Sequence, residues 1–443
     1  MEVYLRYGNA FQKVDLPSSS RVYIAKGFIS KRQVNLEETL SNSLDEPVGT
    51  DSLEKMVSPG SRVALIVDDT TRPTPIKSLL PLVIARLLKR GLSKDDISII
   101  MATGAHKRPT WDEVGAKIGR LVLDSGIRVY VHDPLDKKEL KLIGFTSRGT
   151  PIWINSKALD ADVKIGIGLI KPHPWAGFTG GAKIILPGIS AWEAIGKNHF
   201  LAVSEEARIG NIEGNPVRGD MEEAAQKTEL DMIINTILDD RGRPIDCVVG
   251  DPIEAHRKGV EVVRTLFETS IDEEVDVAIW AFGPGDNDLW DVIGGKFIGA
   301  HKKILKDGGT LILVAECSNG IYKYNEYGLR HVDYSGRVAD YSRVIEMLRS
   351  GASPDEIISE TLRGNMPYME VGVKAYIIST LIRRSNIIIV SHNLRKEDVK
   401  WLGSLARTAT EAVSQAIQLE GEDARIAVVP EAYASDGYIF RRA

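Results

Sequence analysis

The feature that most constrains this chain is an alternation of two patterns. Short β-branched apolar runs recur along it, and between most of them lies a segment with helical apolar spacing. "RVALIVDD" (62–69), bounded by Gly60 and Pro73, reads as a buried strand. "PIKSLLPLVIARLLKRGL" (75–92) carries the helical period and stops at Gly91, a usual C-terminal signal. "ISIIMATG" (97–104), "RVYVHD" (128–133) and "ADVKIGIGLIKP" (161–172) read as further strands, and "TWDEVGAKIG" (110–119) as a short helix. Another helix is expected from about Ser190 through "WEAIGKNHF". Strand–helix–strand alternation predicts an α/β fold with mainly parallel sheets. Two stretches read instead as hairpin inserts: "LKLIGFTSRGTPIWIN", turning at Ser147–Arg148–Gly149, and "MIINTILDDRGRPIDCVVG", turning at Asp240–Arg241–Gly242.

A chain of 443 residues is too long for one ordinary core. The helical stretch "PIEAHRKGVEVVRTLFET" (252–269) runs into the acidic "SIDEEVD", after which the alternation restarts. This places the boundary at 272/273, giving an N-terminal α/β domain (1–272) and a C-terminal one (273–443). A ligand cleft is expected between them. The net charge of −5, without any Lys/Arg tract, argues against nucleic-acid and anionic-membrane partners. No run reaches the ~18 apolar residues of a membrane span, and "MEVYLRYGNAFQKVDLP" lacks the layout of a signal peptide. Two cysteines, Cys247 and Cys317, can form neither a disulfide framework nor a four-thiolate zinc site. The expectation is a soluble, cytoplasmic protein.

In open parallel sheets, ligands sit beyond the carboxyl ends of the strands. "DDTTRPTP", "ATGAHKRP" and "KPHPWAG" each begin at such an end, so they should converge. His106 and His173 lie in these segments. With an unperturbed pKa of about 6.5, a pair of histidines can take and return protons on a substrate. His199, in "GKNHF", is either a packed helix residue or a metal ligand. His132, His256, His301, His331 and His392 read as structural or solvated. Asp68 and Asp69 could cap the following helix, while Arg72 at the sheet's mouth suits a carboxylate or phosphate. "GFTGGAKI" is not a phosphate loop, because Ala182 precedes Lys183 and Ile184 follows it. Lys183 among glycines is either a covalent attachment point for a carbonyl-type group or a lysine facing solvent.

"DDTTRPTP", "TGAH", "HPWAGFTGGAKIILPG" and "NH", in that order, resemble the lactate racemase family. The resemblance implies a nickel-pincer nucleotide cofactor (pyridinium-3-thioamide-5-thiocarboxylic acid mononucleotide nickel). Its thioamide tether falls on Lys183, its protein nickel ligand on His199 and its acid/base pair on His106 and His173. Asp69 and Arg72 face cofactor or substrate, and Gly180 and Gly181 make room for the flat metallated ring. The implied activity is racemisation or epimerisation of a 2-hydroxy acid by proton-coupled hydride transfer through a 2-oxo acid. Cofactor maturation proteins are implied as partners. The pattern departs in "NDLWDVIGGKFIGAHKK", where Trp290 and Lys296 stand roughly where the family places its substrate contacts. That departure puts lactate itself in doubt. Two alternatives remain from the residues alone: a zinc hydrolase using His106, His173 and His199, and a non-catalytic binder of nucleotide or hydroxy acid.

Overall fold

A computed structural model of the 443-residue chain describes all residues except 26, 32–33, 285–287, 294–303, 322–329, 333–337, 367, 433–437 and 443. Two six-stranded sheets organise the described residues. The first runs in the order Pro244–Gly250, Met232–Leu238, Val163–Leu169, Val63–Asp68, Ile97–Ala102 and Arg128–Val131. Every neighbouring pair is parallel except the first, which is antiparallel. The "MIINTILDDRGRPIDCVVG" stretch is therefore the edge of this sheet rather than an insert. Leu140–Phe145 and Pro151–Asn155, by contrast, form a separate two-stranded hairpin as expected.

Alternation along the central strand explains how the sheet is covered. Val63, Leu65 and Val67 pack on one face with Ile76, Leu79, Leu80, Val83 and Leu87 of the helix Ile76–Lys89. Ala64 and Ile66 pack on the other with Ile184, Ile185 and Met221. Both faces are buried, as parallel sheets require. The helix Trp111–Ile118 is started by a reciprocal cap between Thr110 and Glu113.

The second sheet is wholly parallel, in the order Ser404–Ala406, Asn386–Val390, Leu305–Val314, Val275–Phe282, Arg425–Ala432 and Arg21–Ile24. Its last strand comes from near the chain's start, a pairing that no local pattern announced. The helix Met369–Arg384 ties the halves together. Val371, Ala375, Ile378 and Leu381 belong to the core around the second sheet, and Val373 and Ile377 to the core under the first. No described helix is long and apolar enough to cross a membrane.

Candidate active site

The first sheet changes direction between two adjacent strands. From Val63–Asp68 the chain proceeds outward through Ile97–Ala102 and Arg128–Val131, then returns to lay Val163–Leu169 on the other side. Such a switch point opens a crevice at the carboxyl ends. Here a cavity of about 640 Å³ is lined by Asp69, Arg72, His106, His173, Lys183 and His199. Trp290 also reaches it, together with Tyr341, Tyr368, Glu370 and Lys374 from the second half. Lys296 lies outside the described residues.

The two aspartates that end Val63–Asp68 have different partners. Asp68 accepts from Thr74 and pairs with Lys117 at 3.0 Å. Lys117 also donates to the carbonyl oxygens of Arg72 (2.6 Å) and Thr74 (3.2 Å), so it braces the turn that presents Arg72. Neither aspartate caps the next helix, which begins after Pro75 without a side-chain cap. Asp69 instead accepts from Thr71 Oγ1 at 2.6 Å and meets His106 Nδ1 at 2.7 Å. Burial opposes its ionisation, but the His106 and Thr71 contacts outweigh burial and hold the carboxyl below its usual range. A carboxylate only accepts, so His106 carries a hydrogen on Nδ1, and in the neutral ring Nε2 is the acceptor.

His173 is arranged the other way round. Its Nδ1 accepts from the backbone N–H groups of Trp175 (3.2 Å) and Ala176 (3.1 Å). The neutral ring therefore carries its hydrogen on Nε2. Burial, then the charges of Lys183 and Arg72, push its pKa well below the ordinary value. The two histidines thus face the cavity as an acceptor and a donor.

Lys183 sits in a short 3-10 turn, Gly181–Ile184. Its side chain keeps a partial opening onto the cavity, yet its surroundings lower its pKa to about 7, first by burial and then through Arg72 and Arg218. A neutral amine is a nucleophile, where an ammonium is not.

The loop before it is tied from behind. Arg218, fully buried, donates to the carbonyls of Ala176 (3.3 Å), Gly180 (3.2 Å) and Phe178. Asn235 Oδ1 accepts from Gly181 N at 2.8 Å, and His256 Nε2 donates to Thr179 O at 2.9 Å. The glycines have a reason within the protein itself. At Gly181 (φ +59°) a Cβ would come within 2.9 Å of the His256 ring, and at Gly180 (φ +76°) within 2.6 Å of Asn235 Oδ1.

His199 lies on the helix Trp192–Phe200, edge-on to Trp175 with ring centroids 5.1 Å apart. Its Nδ1 is buried without a hydrogen bond and stands 3.6 Å from Glu370 Oε2. Burial opposes the ionisation of Glu370, but Lys374 and His199 hold its carboxyl below the usual range. Among the described residues, no three His, Cys, Asp or Glu side chains are grouped to hold a metal ion. The three-histidine zinc site is therefore not assembled by those residues. One histidine beside a nucleophilic lysine fits a metal whose remaining donors come from a tethered group.

On the second half's side, Trp290 is 7 % exposed and packs on Tyr341 with centroids 5.6 Å apart. Tyr341 and Tyr368 share a 2.7 Å hydroxyl hydrogen bond, and Tyr368 meets Trp192 at 5.7 Å. The cavity wall is a chain of four aromatic rings. Of the histidines read as structural, His132 donates from Nε2 to Ser190 O at 2.9 Å, with burial lowering its pKa to about 4. His392 meets Tyr7 edge-on with ring centroids 5.3 Å apart, and His301 lies outside the described residues.

Residues 7–210 match the model of the lactate racemase N-terminal domain. A lactate racemase from Lactiplantibacillus plantarum is 30% identical over 400 residues, which cover 89% of each chain. The chain belongs to the lactate racemase family, a family of isomerases. A second member, from Thermoanaerobacterium thermosaccharolyticum, is 28% identical over 437 residues, 97% of each chain. The structure of the lactate racemase apoprotein from that organism superposes with a TM-score of 0.81 at 27% identity, covering all of both chains. A Thermotoga maritima protein shares the fold, with a TM-score of 0.60 at 18% identity over 92% of this chain and 97% of its own.

The site and its supports also include residues that the sequence did not single out. Asn235 had a legible signal, a polar side chain inside the apolar strand "MIINTIL". Arg218, Trp192, Tyr368 and Glu370 sit in helices or at their ends, where nothing in the spacing marks them.

Proposed function

We propose that this family member racemises or epimerises a 2-hydroxy acid with a nickel-pincer nucleotide tethered to Lys183. The observation that carries this reading is the meeting of a nucleophilic lysine, a partly buried histidine and an acceptor–donor histidine pair on one cavity. Lys183 would hold the nucleotide and His199 would bind the metal. Asp69, Gly180 and Gly181 line the same wall. When bound, the group supplies a hydride acceptor, and later donor, so that the α-carbon passes through a planar 2-oxo acid and is reduced on either face.

The chain's own residues do the rest. Arg72 grips the substrate carboxylate through paired N–H donors. His106 Nε2 takes the hydroxyl proton, and the Asp69 carboxylate stabilises the imidazolium that forms. His173 Nε2–H hydrogen-bonds the oxygen as it becomes a carbonyl, and the proton held on His106 returns to that oxygen when the carbonyl is reduced. The aromatic wall, Trp290 included, excludes water and favours a substrate larger than lactate; Lys296 is proposed as a further carboxylate contact. We place the division between the domains at 272/273, with Arg21–Ile24 added to the second sheet, and the enzyme in the cytoplasm with cofactor maturation proteins as partners.

The test is intact-mass and metal analysis of protein co-expressed with the cofactor's biosynthetic enzymes. The expected result is a nucleotide-sized increment on Lys183 and stoichiometric nickel, both absent in Lys183→Ala. Racemase activity unchanged in Lys183→Ala would overturn the reading.

A further inference from the structure

His199 belongs to the N-terminal half, but the acid facing its second nitrogen comes from the other half. Glu370 stands in the first turn of the helix Met369–Arg384, with its Oε2 3.6 Å from His199 Nδ1. That is a few tenths of an ångström beyond hydrogen-bonding length. Neither partner is loosely placed. Lys374, one turn along the same helix, holds Glu370 Oε1 at 3.1 Å. Trp175 closes on the His199 ring edge-to-face at 73°. His199 Nδ1 is buried and has no hydrogen bond, so the carboxylate faces a ring nitrogen that lacks one. An imidazole that ligates through Nε2 must keep its hydrogen on Nδ1. An acceptor at Nδ1 then fixes the tautomer, holds the ring plane and makes Nε2 more basic.

We propose that Glu370 is the positioning residue for His199, orienting its Nε2 toward the metal from across the two halves. The proposal rests on reading His199 as the nickel ligand. It makes the metal site a product of both halves, since the ligand comes from one and its orientation from the other.

Three variants test it, each prepared with the cofactor's biosynthetic enzymes: Glu370→Gln, Glu370→Ala and His199→Ala. The readouts are the Lys183 adduct mass, nickel per chain during a timed chelator challenge, and the visible absorption spectrum. Glu370→Ala should keep the adduct mass yet lose nickel about 10-fold faster or more, in the range for loss of a partner to a metal-bound histidine. Glu370→Gln keeps an oxygen acceptor and should fall between Ala and wild type, with a shifted spectrum. If the alanine variant fails to fold, the glutamine variant alone decides. Wild-type nickel loss and spectrum in the folded glutamate variants, with rapid loss in His199→Ala, would overturn the proposal and leave the function standing. Wild-type nickel retention in His199→Ala would instead overturn the ligand assignment, and the role of Glu370 with it.

Discussion

Burial and the charges of Arg72 and Arg218 disfavour the charged form of Lys183, and that carries a signed consequence. In the unfolded chain the amine holds its proton up to about 10.4, whereas in the folded apoprotein it releases the proton near 7. Between those values the unfolded state binds more protons, so stability rises with pH across that window. Below about pH 7 the destabilisation from Lys183 is fully present. The stability difference between apo wild type and Lys183→Met, measured by denaturant titration from pH 6 to 10, should therefore shrink as pH rises. A constant difference would contradict the buried amine. The histidine pair gives a second residue-scale prediction. His106→Gln removes the nitrogen placed to accept the hydroxyl proton and should lower kcat about 100-fold or more. His173→Gln retains an N–H donor and should lose clearly less. Equal losses in steady-state assays would show that the two rings are not an acceptor and a donor.

At the scale of elements, the segment from Pro172 to Ser190 is an irregular ribbon held by groups from elsewhere. Arg218 satisfies three of its carbonyls from inside the protein. Arg218→Met would leave these acceptors buried and unpaired, at about 1–3 kcal/mol each. The expected loss of stability, read by urea unfolding, is about 3 kcal/mol or more; a loss under about 1 kcal/mol would show that water replaces the guanidinium. Most elements were legible because the two apolar periods differ so plainly: the expected helix at 75–92 is Ile76–Lys89, and the strand at 161–172 is Val163–Leu169. The strand Met232–Leu238 was read as half of an insert because its hairpin turn is visible, while its parallel pairing with Val163–Leu169 leaves no local trace. His106 and His173 were legible because they lie just beyond the carboxyl ends of strands, and Lys183 because it stands among glycines. Glu370 and the tyrosines were not, since their helix faces meet the cavity only through tertiary packing.

For the whole molecule, the question is whether the halves are independent. One apolar cluster includes Ile170, Phe178, Ile209 and Val260 as well as Trp280, Leu313 and Ile389, so it crosses from one half to the other. An interface that apolar disfavours separate unfolding. The apoprotein should show one calorimetric transition with equal calorimetric and van't Hoff enthalpies. Two resolved peaks would mean that the shared cluster does not couple the halves.

The pairing of Arg21–Ile24 with Arg425–Ala432 has a further consequence, for biosynthesis. The two ribbons lie far apart along the chain, so the strand made earlier must wait for the one made later. Until then the second sheet has an open edge and the nascent chain an unpaired strand, both of them invitations to the wrong partner. Completion of the second sheet is thus timed by the later ribbon, which fastens a strand made long before it.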